Sequence, residues 1–191
     1  MKRKLYVSLI SLFMIFPILS TTSIATNDIG NAISPESEVD LYVYNGRIPH
    51  AYTINIRIDS SRDSRYTTAW YSAYTYYNQN LQYRTFRSSS TAQSLMTSEF
   101  DFSRPNTFGR IIYQNSNSRY STPFYTYLNE YKREIYDSAN VRRSTASHEL
   151  GHALGLADLT TDSYSIMNTK RNREVIIYPS AIDLMRINSL R

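Results

Sequence analysis

The sequence predicts an α+β domain, on three observations. A segment of strictly alternating residues, AYTINIRID, comes first, followed directly by a stretch whose apolar residues recur at helical intervals. Several short strand-like segments come next, and a second helical stretch beginning near Asn140 follows them.

In the first segment Ile54, Ile56 and Ile58 fall on one face, as a half-buried strand requires. RYTTAWYSAYTYYNQ then spaces Ala69, Ala73, Tyr76 and Tyr77 so that one helical face can pack on that strand. LQYRTF and SEFDF predict a second and a third strand, and FGRIIYQ a fourth in which Ile111, Ile112 and Tyr113 sit together. In PFYTYLNEY, Phe124, Thr126 and Leu128 share one side, with Tyr125 and Tyr127 on the other. SSSTAQS, residues 88–94, reads as a polar loop. The chain holds 18 tyrosines, which suit half-buried strands with one wet end better than a sugar- or peptide-binding surface.

The opening places Lys2, Arg3 and Lys4 before an apolar run from Leu5 to Leu19, then the small-residue pattern Ser23-Ile24-Ala25. That pattern predicts a secretory signal peptide over residues 1–25, cut after Ala25, and hence a secreted, extracellular protein. Residues 26–49 carry Asp28, Glu36, Glu38 and Asp40 with little periodicity and read as a lead-in or short pro-segment. Residues 50–191 form the predicted folded domain. The chain has no cysteine, which excludes a disulfide scaffold. Its formal charge of +5 reflects 21 basic and 16 acidic residues, but three of the basic ones lie in the predicted signal peptide and the rest are scattered. No basic stripe tracks a phosphate backbone, so no nucleic-acid partner is expected, nor stable membrane association after cleavage.

HELGHALGLAD, residues 148–158, carries the chemistry. Asn140 can cap a helix through this region by accepting a hydrogen bond in the first turn. On that helix His148 and His152 lie one turn apart and can grip one ion. Glu149 projects about 100° around from His148, beside the ion and free to act as a base. Gly155 accepts the left-handed conformation that ends a helix, and Asp158 can return a third ligand while one position stays open for water. Asp162 competes with Asp158 for that place, since aspartate also serves turns. His50 follows Pro49 at the start of a strand and reads as a surface residue.

With its glycine and third ligand, HExxHxxGxxD resembles the metzincin zinc metalloproteases: HELGHALGL is similar to the matrixin version, and the aspartate ending resembles the snapalysin family. YSIMNT places Met167 similarly to the metzincin Met-turn, and Asp183 in YPSAIDLMRI matches an aspartate that steadies that turn. FYTYLNEYKREIYDSANV resembles the strand and loop before the active-site helix. The resemblance covers residues 51–191, most closely from Asn140 onward.

The resemblance implies a twisted mixed sheet packed on two long helices, with the active-site helix followed by the Met-turn and a C-terminal helix. It implies Zn2+ held by His148, His152 and Asp158, with Glu149 as the general base of peptide-bond hydrolysis. Protein or peptide substrates would bind extended along a sheet edge, the matching segment being GRIIYQN, residues 109–115. The loop between Asn168 and Tyr178 would wall the specificity pocket, and a monomer is expected. Where many metzincins carry a tyrosine two residues past the methionine, this chain has Thr169; Tyr164 and Tyr178 are the nearby tyrosines. A binding or inhibitory module on a zinc-site scaffold, and a zinc hydrolase of cell-wall peptides, are the competing functions.

Overall fold

The computed structural model describes residues 45–48, 52–115, 117 and 119–190. The predicted signal peptide, most of the lead-in and His50 lie outside the described residues. The elements are β1 (Thr53–Ile58), α1 (Ser64–Asn80), β2 (Thr85–Ser88), β3 (Ser94–Glu99), β4 (Gly109–Tyr113), β5 (Phe124–Asn129), α2 (Arg133–Asp137), α3 (Ala139–Ala153) and α4 (Ala181–Ser189). The strands form one five-stranded sheet in the order β2-β1-β3-β5-β4. β1 pairs in parallel with β2 and β3, β3 in parallel with β5, and β4 runs antiparallel on β5 as the outer strand. The domain is therefore α+β with a mixed sheet. Among the described residues no helix is long and apolar enough to cross a membrane.

Asp63 caps α1 by accepting from Arg65 N at 2.8 Å, and the helix buries Tyr66, Ala69, Trp70, Ala73 and Tyr77. Two of these tie the layers together. Trp70 Nε1 donates to Thr97 O of β3 at 3.0 Å, and Tyr77 Oη donates to Ser147 O of α3 at 2.9 Å. A buried indole or phenol needs such a partner, so each bond fixes the depth at which its ring sits. The core closes with Ile56, Met96, Phe124, Leu128, Leu150, Leu154 and Met167, all buried.

The structure shifts three boundaries that the sequence predicts. β3 begins at Ser94, inside the string that reads as loop plus the start of SEFDF. This strand lies between β1 and β5 and buries Ser94, Met96, Thr97 and Ser98, so its polar side chains need partners from other segments. Thr97 Oγ1 donates to Asp59 at 2.9 Å, and Ser98 Oγ to Glu130 at 2.6 Å. β2 starts at Thr85, past most of LQYRTF, where Asn78 of α1 accepts from Phe86 N at 2.6 Å and donates to Phe86 O at 2.7 Å. Helix α3 is capped by Ser138, whose Oγ accepts from Val141 N at 3.2 Å, and not by Asn140. Ser138 also ends the short helix α2, so the chain turns there. Asn140 Nδ2 instead donates to Glu174 O at 3.1 Å.

Candidate metal centre

α3 carries His148 and His152 on one face, and the chain beyond it brings Asp158 back to them. Asp158 Oδ1 lies 3.2 Å from His148 Nε2 and 3.6 Å from His152 Nε2. The candidate ligand atoms of all three residues fall within 4.8 Å of one another. Asp162 is elsewhere: its carboxylate accepts from Tyr164 N at 3.1 Å and faces Arg186 at 3.6 Å.

The other ring nitrogens settle the tautomers. His148 Nδ1 sits 3.0 Å from Ile166 O and His152 Nδ1 2.8 Å from Leu156 O. A carbonyl oxygen only accepts, so each Nδ1 donates, and each Nε2 of a neutral ring presents its lone pair toward Asp158. Arg171 Nη1 lies 3.3 Å from His148 Nδ1 and donates to Asn168 O at 3.0 Å. Burial holds His148 far below the ordinary histidine range, to about 4, against the opposing pull of Asp158. The rings are therefore neutral at pH 7. Two lone pairs and a carboxylate oxygen facing one point repel one another unless a cation stands between them. Zinc bonds of about 2.0–2.1 Å in tetrahedral geometry set ligand atoms about 3.3 Å apart, close to the two histidine–aspartate distances of 3.2 and 3.6 Å. The residues fit a divalent cation of this kind, and the exposed Asp158 leaves the solvent side open.

Beneath the rings the structure is tightly held. Ile166, whose carbonyl orients His148, gives its own N–H to Asp183 Oδ2 at 2.9 Å, while Ser165 Oγ donates to Asp183 Oδ1 at 2.5 Å. Asp183 is fully buried and closes a capping box with Ser180 at the start of α4. So a carboxylate on α4 fixes a turn, and the turn fixes an imidazole. Met167 follows in that turn and packs on Gly151, the residue before His152. A Cβ at Gly151 would stand 2.4 Å from Met167 Sδ.

Asp158 owes its position to the corner at Gly155, whose φ of 100° suits glycine. The corner is anchored from outside the helix. Asn45 N donates to Gly155 O at 3.0 Å, and Asn45 Nδ2 and Tyr113 Oη both donate to His152 O, at 3.0 and 2.9 Å. Asn45–Ile48, which composition places in the lead-in, is thus packed against the end of α3. Beyond the corner Leu159 N donates to Met167 O and Thr169 N to Leu159 O, each at 3.0 Å, joining the ligand loop to the methionine turn.

Glu149 is buried, and among the described residues no hydrogen bond or ion pair engages its carboxylate. Burial, with the charge of Asp158 added, pushes it up to about 8. A dication beside it would pull that value back down. β4 passes directly over it: a Cβ at Gly109 would lie 3.0 Å from Glu149 Oε1 and 2.7 Å from Thr145 Cγ2. The outer strand therefore runs along the edge of the site, with its far side unpaired among the described residues. Of the tyrosines near the turn, Tyr178 stacks on Tyr76 at 4.4 Å and shares a hydrogen bond with Ser72 at 2.7 Å, while Tyr164 is exposed.

Gly151, Asn45 and Arg171 escape the sequence reading, which places Gly109 and Tyr113 on the edge strand without the contacts they make here. Only Gly151 carries a usable signal there: glycine in a helix interior costs about 1 kcal/mol relative to alanine, so its presence points to a close neighbour.

No protein-family profile matches the chain, and no curated protein matches it. Among solved structures, a chain of the GM1-bound form of the ECX AB5 holotoxin is similar, with 14% identity over 78% of this chain and 86% of that chain and a TM-score of 0.46.

Proposed function

We propose that this chain is a secreted zinc-dependent endopeptidase of the metzincin kind, with His148, His152 and Asp158 as ligands and Glu149 as general base. One observation carries the reading: two neutral imidazoles, each locked by its Nδ1–H, and one carboxylate aim three acceptors at a single point. The buried Asp183 beneath the Met167 turn supports it, as does the unengaged Glu149 beside the point.

Zinc held there would supply a polarised carbonyl and a water acidified toward a pKa of about 7. The chain's own residues do the rest. Glu149 takes the proton from the attacking water and hands it to the leaving amine nitrogen. Asp183, through Ile166, keeps His148 from rotating as the coordination changes. β4 offers its unpaired edge to an extended peptide, whose main chain would add as a further strand. Gly109 lets that edge lie close to Glu149, so a bound peptide bond comes within reach of the base.

The test is a casein digest by the purified protein with added zinc, with and without chelator, beside Glu149→Gln. Cleavage that chelator and the substitution both abolish, with zinc still bound to the variant, supports the reading. A protein that binds zinc and cleaves neither casein nor short peptides contradicts it and favours a binding module.

A further inference from the structure

A cavity of about 670 Å³ is lined by Phe108, Val141 and the guanidinium-bearing Arg171 and Arg173, with the acids Glu134, Asp137 and Glu174 also on its wall. Val141 lies two turns before Glu149 on the same face of α3, with Thr145 between them. Phe108 directly precedes Gly109, the residue that touches Glu149. The cavity therefore follows one helix face that ends at the base.

Its charges are unevenly matched. At the outer end Arg133 pairs with Asp137 at 3.1 Å, and Lys132 meets Glu134 at 3.7 Å. Arg171 is held by its own fold, donating to Ser144 Oγ, Ser144 O and Asn168 O at 3.0–3.1 Å. Arg173 differs. Its guanidinium stacks 4.0 Å from the centre of the Phe108 ring, and its Nη2 donates to Thr169 O at 3.3 Å. Its Nε is buried without a partner, and among the described residues no carboxylate pairs with it. With no carboxylate of the described residues within ion-pair distance, the part of the guanidinium that lines the cavity is left for a ligand carboxylate to pair with.

Resting on the endopeptidase reading, the geometry fixes which substrate residue enters. Glu149 delivers its proton to the leaving nitrogen, so that nitrogen lies on the Glu149 side of the ligand cluster. The residue carrying it has its side chain nearest to this cavity. We propose that the cavity takes the side chain of the residue immediately after the scissile bond and that Arg173 selects a carboxylate there, making the protein a peptidase that cuts before Asp and Glu. Phe108 and Val141 would hold the methylenes of that side chain while Arg173 receives its oxygens through charge-assisted hydrogen bonds.

Mass-spectrometric mapping of every cut in a digest of denatured casein tests this, because ratios between sites within one digest cancel any change in overall rate. Cuts before Asp or Glu are expected to exceed those before Lys or Arg by about 10-fold or more per available site, the scale of one charge-assisted hydrogen bond. Arg173→Glu should invert the preference and Arg173→Lys should keep it. Chelator-sensitive cuts without enrichment before acids, or an unaltered map in Arg173→Glu, would overturn the inference and leave the peptidase reading standing. No cuts at all by the zinc-loaded protein would overturn both. Should Arg173→Glu fail to fold, judged by its thermal melt, the wild-type and Arg173→Lys maps decide.

Discussion

Glu149 stands between two regions built on different terms. On its ligand side almost every polar atom is used: each imidazole Nδ1 has a carbonyl, Asp183 is shared by Ser165, Ile166 and Ser180, and the end of α3 is held by Asn45 and Tyr113. On its cavity side Arg173 keeps a buried Nε with no partner, and Phe108 and Val141 border open space. A saturated region holds a geometry, and an unsaturated one leaves interactions for a ligand to complete. The site thus separates the part that must not move from the part that chooses.

The largest break in this comparison comes from removing the base between the two regions. Glu149→Gln should lower the rate of peptide cleavage by about 10²–10⁴-fold, with zinc content unchanged in metal analysis. Loss of zinc along with activity would instead make Glu149 part of the ligand set.

On the saturated side, Asp183→Ala strands Ser165 Oγ and the Ile166 N–H in a buried place. It should cost about 2–4 kcal/mol in urea unfolding and weaken zinc about 10–100-fold in chelator competition. Lower stability with unchanged zinc affinity would show that Asp183 serves the fold alone.

The pH response of the metal-free protein should show two opposite limbs. His148 is pushed down to about 4 from an ordinary value of about 6.5, so its folded form resists protonation and stability falls as pH drops through that window. Glu149 is pushed up to about 8 from an ordinary value of about 4.3. Its folded form holds the proton more tightly, and stability is lost as pH rises through that window. In the presence of chelator, Glu149→Gln should therefore gain over wild type as pH rises from about 4.5 to 8, by a few kcal/mol on the order of the shift. A difference that stays constant across that range would mean Glu149 is well solvated.

Gly151→Ala forces Met167 Sδ from its seat and should cost about 1–3 kcal/mol, read as a lower melting temperature. The smallest effect is expected from Asp158→His. Removing one negative charge from the ligand set should lower the pH optimum of cleavage, and equal optima in two zinc-loaded proteins would contradict the role given to that charge.

Much of this was legible in the residues. β1, α1 and β5 show their buried faces through Ile54 and Ile56, Ala69 and Ala73, and Phe124, Thr126 and Leu128, since apolar periodicity reports burial directly. His148, His152 and Asp158 meet as their spacing suggests, because a helix turn and a glycine corner are local geometry. β3 was hidden because a central strand can bury Ser94, Thr97 and Ser98 when their partners lie in distant segments, Asp59 and Glu130 among them. The cavity was hidden for the same reason. Phe108, Val141 and Arg173 belong to three segments, and only folding shows that Arg173 finds no acid.

The central claim is that three side chains enclose one dication and leave one position wet. X-ray absorption on the zinc-loaded protein tests it most directly. It should report one zinc per chain with two imidazole nitrogens and a carboxylate oxygen at about 2.0–2.2 Å, lost in His148→Ala. Zinc that does not bind at all, or that binds equally well after His148→Ala and Asp158→Ala, would contradict the account.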